Sequence, residues 1–167
     1  MFDTYVKNKI FIVDNDNINL KLFDCYLKDF NNIEIYKFNK CNDLLDNLEL
    51  RPSIVLLNNE FKGIDISGCD LLKIIKEFDK DIQVILMSDK IDEKAVCETT
   101  LAGSNGFLIK DKLILEKVRE KVSDSLSIFS LVKKYKKSKM IRRNMCYFIL
   151  FLLSIIISYS IHILLTN

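Results

Sequence analysis

From Met145 to Leu165 the chain reads MCYFILFLLSIIISYSIHILL, 21 residues with no formal charge when His162 is neutral, 17 of them apolar. As a helix rising about 1.5 Å per residue this run is roughly 31 Å long, which matches a hydrocarbon core of about 30 Å. A helix buried in a globular core usually keeps a polar face and seldom runs so far without Lys, Arg, Asp or Glu. A transmembrane helix over residues 144–165 is therefore expected. Ser154, Ser158 and His162 recur at i, i+4 and i+8 along one ridge of it. Two readings of that ridge stay open: a helix–helix contact, or serines that simply bond the carbonyl one turn back.

The whole chain carries a formal charge of +2, but all 23 acidic residues and 18 of the 25 basic ones precede residue 125. Residues 1–124 therefore carry −5 and residues 125–167 carry +7. The seven late cations, Lys133, Lys134, Lys136, Lys137, Lys139, Arg142 and Arg143, abut only the N-terminal side of the apolar run. The positive-inside rule then keeps residues 1–143 in the cytoplasm and carries Thr166 and Asn167 across the cell membrane in a single pass. Cations so placed face lipid and gain about 1 kcal/mol each from anionic headgroups, which accounts for them without nucleic acid. The start, MFDTYVKNKIFIV, has too short an apolar stretch, with an acid at Asp3, for a secretory segment. Cys25, Cys41, Cys69, Cys97 and Cys146 show no C-x-x-C spacing and are expected to be reduced, buried thiols. With one His in the chain, a zinc site is not expected.

Five short runs rich in Ile, Val and Phe, at Ile10–Val13, Ile33–Phe38, Ile54–Leu57, Ile82–Met87 and Gly106–Ile109, alternate with segments of helical spacing. Ile18, Leu22 and Cys25 mark one helical face, as do Leu71, Leu72, Ile75 and Phe78, and then Leu113, Leu115, Val118 and Val122. Asp16 or Asn17 suits a cap for the first helix, and Asn42 or Asp43 for the second. Strands that are mostly apolar throughout, each followed by a helix-length crossover, predict a doubly wound α/β domain with a parallel sheet. Ligand chemistry in such sheets gathers at the carboxyl ends of the strands. Those ends carry Asp14-Asn15-Asp16, Asn58-Asn59-Glu60, Ser88-Asp89 and Lys110-Asp111.

Over roughly residues 8–124 the chain resembles the receiver domain of bacterial two-component response regulators. IFIVDND is similar to the family's first strand and acidic cluster, and RPSIVLLN to its third, which normally ends in the phosphoryl-accepting Asp. IQVILMS is similar to the fourth strand ending in Ser or Thr, and GSNGFLIK to the fifth, with its switch aromatic and terminal Lys. The resemblance implies a flavodoxin-like, doubly wound five-stranded parallel sheet of order 2-1-3-4-5 over residues 1–125, a basic juxtamembrane helix or linker over 126–143, and the membrane helix.

Departures from the family pattern shape the functional expectation. The acceptor position falls on Asn58, an amide that cannot form an acyl phosphate, and Asn15 replaces the principal metal-binding acid. Asp14, Asn15, Asp16 and Glu60 then form a degenerate acidic pocket; Asp14, Asn15, Asn58 and Glu60 are at best weak Mg²⁺ candidates, and no cofactor is expected. Ser88, Phe107 and Lys110 stand at the switch and pocket positions. The loop FKGIDISG lacks the family's usual Pro and is about two residues longer before Gly68. The family's Pro after the Lys is Asp111 here; a cis bond before Asp would cost about 2.5–4 kcal/mol, so a trans bond and a displaced Lys110 pairing with Asp14 or Asn58 are expected. The resulting reading is a non-enzymatic, membrane-anchored pseudo-receiver that works by docking a protein, or a second copy, through residues 91–122, with no output domain of its own. Two other readings stay open: a working phosphorelay receiver with Mg²⁺ and a substitute acceptor at Asp14, Asp16 or Asp65, and a structural membrane protein with no regulated partner. Helix is expected to run on through Ser123–Met140, with Ser123, Ser125 and Ser127 as a candidate hinge.

Overall fold

A computed structural model describes residues 7–61 and 66–166, with side chains of 159–161 and 163–166 left aside. Along the chain come β1 (Asn8–Val13), α1 (Asn17–Leu27), β2 (Ile33–Phe38), α2 (Cys41–Asp46), a 3₁₀ turn (Leu48–Leu50), β3 (Ile54–Asn58), α3 (Gly68–Phe78), β4 (Gln83–Ser88), α4 (Glu93–Leu101), β5 (Gly106–Ile109) and α5 (Ile114–Thr166). The five strands pair in parallel in the order β2-β1-β3-β4-β5. This is the flavodoxin-like, doubly wound sheet that the resemblance implies, followed by a long apolar C-terminal helix.

Side chains alternate across the sheet, so each strand feeds two cores. Phe11, Val13, Val55, Leu57, Val84 and Leu86 meet Cys41, Leu44, Leu71, Leu72 and Ile75 from α2 and α3 on one face. Ile10, Ile12, Ile54, Leu56, Ile85 and Met87 meet Leu20, Phe23 and Leu27 of α1 and Val118 and Val122 of α5 on the other. β3 is buried throughout, whereas β2, at the edge, has no fully buried residue and exposes Glu34 and Lys37.

Three local expectations are corrected. On α1, Ile18, Leu22 and Cys25 are turned to solvent, and the buried residues are Leu20, Phe23 and Leu27. Two apolar stripes share that helix, and the larger Phe-containing one takes the core. The cap of α2 is Lys40, with no side-chain bond, rather than Asn42 or Asp43; Asp16 does cap α1, accepting from Ile18 N. All five cysteines are free, but only Cys41 and Cys69 are buried. Burial raises the pKa of both thiols, which leaves them protonated and unreactive.

The chain divides into two compact units, Met1–Phe129 and Ser130–Asn167. Within the first, Ser125 is buried and Ser127 Oγ returns a hydrogen bond to Ser123 O, so the serine stretch is helical rather than a break. In the second unit, Lys133, Lys134, Lys136, Lys137, Lys139, Arg142 and Arg143 are all exposed. Among the described residues one helix is long and apolar enough to cross a membrane, and none of its apolar window is buried. Ser154 Oγ donates to Phe151 O, the local bond open to a serine in such a helix.

Candidate functional site

The turns that follow β1, β3, β4 and β5 converge on one cleft of about 410 Å³, lined by Asp14, Asn15, Asp16, Asn19, Asn58, Glu60, Asp89, Lys110, Asp111 and Ile114. It lies where the connections leaving β1 and β3 depart to opposite faces of the sheet, the place where doubly wound folds open a crevice. Gly68 makes the close approach of α3 feasible. A Cβ there would lie 2.7 Å from Asn59 Cα and 2.8 Å from Asn58 O.

Asp14 is buried, and both of its oxygens are engaged. Oδ1 accepts from Asp16 N at 2.9 Å; Oδ2 accepts from Asn19 Nδ2 at 3.1 Å and from Lys110 Nζ at 2.7 Å. The Lys110 and Asp14 side chains are 9% and 1% exposed, so the pair is shielded from solvent and each charge depends on the other. Lys110 Nζ also donates to Asn58 Oδ1 at 2.9 Å. On its other side Asn58 Nδ2 donates to Asn15 Oδ1 at 3.0 Å and to Glu60 O. Reversing the amide would set its NH₂ against the ammonium of Lys110, so the lysine dictates which way the amide points.

At the β4 end, Ser88 Oγ donates to Lys90 O at 3.0 Å, accepts from Lys90 N and lies 3.4 Å from Glu60 Oε1. Phe107 is half-buried and packs against the core shared by α2 and α3. The described peptide bonds are all trans. Asp111 accepts from Leu113 N at the start of α5. Its hydrogen bond from Lys117 holds its carboxyl below the ordinary value. The residue that replaces the family's Pro thus closes the turn that leads into α5. Asn19 is the contact that sequence reasoning missed; the available signal was an Asn, a poor helix former, standing in the second half of α1's first turn. Most of the loop after Phe61, with Asp65, lies outside the described residues.

Among the described residues no three His, Cys, Asp or Glu side chains are grouped to hold a metal ion. The donor set suits Mg²⁺ poorly. Asp14 is committed to Lys110, Asn19 and a backbone amide, while Asn15 and Asn58 offer neutral amides where a hard dication favours carboxylates.

The profile described as "Response regulator receiver domain" matches residues 10–122. No curated protein matches the sequence. Among solved structures, the chain is similar to DrrB, an OmpR/PhoB homologue of Thermotoga maritima, at 26% identity and a TM-score of 0.65, over 72% of this chain and 53% of that one. The chain thus spans about half of that DrrB chain. It is also similar to the BeF₃-activated DrrB receiver domain, at 25% identity and a TM-score of 0.60, over 70% of this chain and 98% of that one. A two-component response regulator of Clostridium difficile shares the fold at 22% identity and a TM-score of 0.65, over 72% and 97% of the two chains. With its sheet order, its four strand-end clusters and a family match across two-thirds of its length, this chain belongs to the response regulator receiver domain family.

Proposed function

We propose that this chain is a membrane-anchored pseudo-receiver that serves two-component-type signalling by docking and takes up no phosphoryl group. The observation that carries this reading is Asn58. At the end of the central strand stands a carboxamide whose oxygen accepts from Lys110 and whose nitrogen donates to Asn15 and Glu60. An acyl phosphate forms on a carboxylate nucleophile, and a neutral amide lacks the charge for that attack. Lys110, paired with Asp14, offsets the buried charge within the protein itself. On this reading Ser88 and Phe107 act as a strand-end tie and a core ring rather than as a phosphorylation-driven switch, and the module performs no enzymatic step.

The remaining parts follow the same reading. Residues 1–125 form the receiver, 126–143 the basic juxtamembrane segment and 144–165 the membrane span, with the receiver in the cytoplasm. The exposed cations from Lys133 to Arg143 lie at headgroup level and bind anionic lipid. Support for a docking role of residues 91–122, toward a protein or a second copy, comes from Ile91 and Leu101, which are 75% and 85% exposed. The test is incubation of the full chain in detergent micelles with a small phosphodonor and Mg²⁺, followed by mass spectrometry. No adduct is expected; a base-labile, acid-stable gain of about 80 Da on Asp14, Asp16 or Asp65 would establish a working receiver instead.

A further inference from the structure

The cleft holds an arrangement beyond the loss of an acceptor. Asn58 Nδ2 is a single nitrogen with two protons, and it spends them on two oxygens from different segments, Asn15 Oδ1 at 3.0 Å and Glu60 O at 2.5 Å. The first separation is close to the spacing of neighbouring oxygens around an octahedral Mg²⁺, roughly 2.9 Å for metal–oxygen bonds of about 2.05 Å, while Glu60 O stands nearer than that spacing. Placing a carboxylate oxygen where Nδ2 stands would bring three oxygens together with no proton among them. Lys110 is already shared with Asp14, so such a cluster keeps an excess negative charge that a cation entering among the three oxygens would offset.

We propose that the two amide protons of Asn58 stand in for a divalent cation, so that the side chain at this one position gates metal binding, and Asn58→Asp admits the ion with Asn15 left unchanged. This rests on the pseudo-receiver reading and deepens it, because the site is closed by an internal substitute rather than stripped of ligands. Lys110 sets the gate by donating to the amide oxygen, which keeps that end of the side chain on its own side. The reverse substitution order has a different outcome. Asn15→Asp leaves the Asn58 protons in place and gives them a better acceptor, so it strengthens the closure and admits no metal.

The experiment uses the full chain in phosphatidylcholine nanodiscs, whose zwitterionic surface adds little Mn²⁺ binding, with free Mn²⁺ followed by electron paramagnetic resonance and empty discs subtracted. Wild type and Asn15→Asp are expected to show no saturable site below about 10 mM, and Asn58→Asp a site at least about tenfold tighter. Equal affinity in all three, or a folded Asn58→Asp that binds no ion, overturns the proposal. Should Asn58→Asp fail to fold, the wild type decides. Side-chain NH₂ protons of Asn58 that exchange slowly and stay sharp in Mn²⁺ support the closure, whereas freely exchanging or broadened protons overturn it. Phosphodonor labelling of the wild type would defeat the docking reading while leaving the Mn²⁺ comparison of the variants intact, so the two failures are distinguishable.

Discussion

Asp14 and Lys110 sit 96 positions apart in the chain, yet neither charge is tolerable without the other at their degree of burial. Removing the cation strands a buried carboxylate, which typically costs about 3 kcal/mol or more. Lys110→Ala is thus expected to lower the unfolding free energy of the full chain by about that amount in a urea titration followed by circular dichroism. Combining it with Asp14→Asn should recover most of the loss, because no unpaired charge remains. A recovery of nothing would place the Lys110 effect elsewhere. A second residue-level prediction concerns pH. Ser67 and Asp70 form a reciprocal capping box at the start of α3, and the hydroxyl of Ser67, with its backbone N–H, holds the Asp70 carboxyl below its ordinary value of 3.8. A carboxylate with a lowered folded pKa stabilises the fold above the ordinary value and loses that contribution as pH falls through the lowered one. Ser67→Ala removes the largest of the lowering contacts and should move the Asp70 titration, followed by NMR, upward toward the ordinary carboxylate range, with the backbone N–H of residue 67 and Lys73 still holding it down in part.

Helices differ in how firmly they are held. α3 buries Gly68, Cys69, Leu71, Leu72 and Ile75, and its far end is tied by Lys76 Nζ to Ile82 O and to Asn105 Oδ1. α4 buries Thr99 alone, and that hydroxyl bonds the helix's own carbonyls at Ala95 and Val96. Local opening costs least where few apolar contacts are lost. Amides of α4 should therefore exchange with deuterium at least about tenfold faster than those in the middle of α3, and similar protection of the two would contradict this account. The contrast explains part of what the sequence concealed. α3 announces itself by a strong stripe at Leu71, Leu72 and Ile75, whereas α4 has small and polar residues on its inner face and gives periodicity little to read.

For the whole molecule, charge and hydropathy divide the chain more sharply than its modest total charge implies. Residues 125–167 carry seven cations and no acid, then a long stretch with no formal charge. Placing Arg at both Leu152 and Ile156 adds about 5 kcal/mol or more to insertion of the helix. Wild type is expected in the alkali-resistant membrane fraction and the double variant is expected to leave it; equal partition of the two would remove the span. Family membership reaches residues 10–122 and leaves this second unit to be understood from its own chemistry.

Much of this protein was legible before any coordinates: apolar runs of strand length separated by helix-length segments dictate a parallel sheet, and every polar strand end must then emerge at one edge. That places Asp14, Asn58, Ser88 and Lys110 near one another without reference to their surroundings. The sequence could not choose between the two apolar stripes of α1, since Ile18-Leu22-Cys25 and Leu20-Phe23-Leu27 have comparable spacing. Packing against Ile10 and Ile12 made the choice. Nor could it orient the amide of Asn58, whose two ends are nearly alike in shape and opposite in hydrogen-bonding sense. Long-range contact with Lys110, 52 residues onward, breaks that symmetry and turns a single nitrogen toward two oxygens.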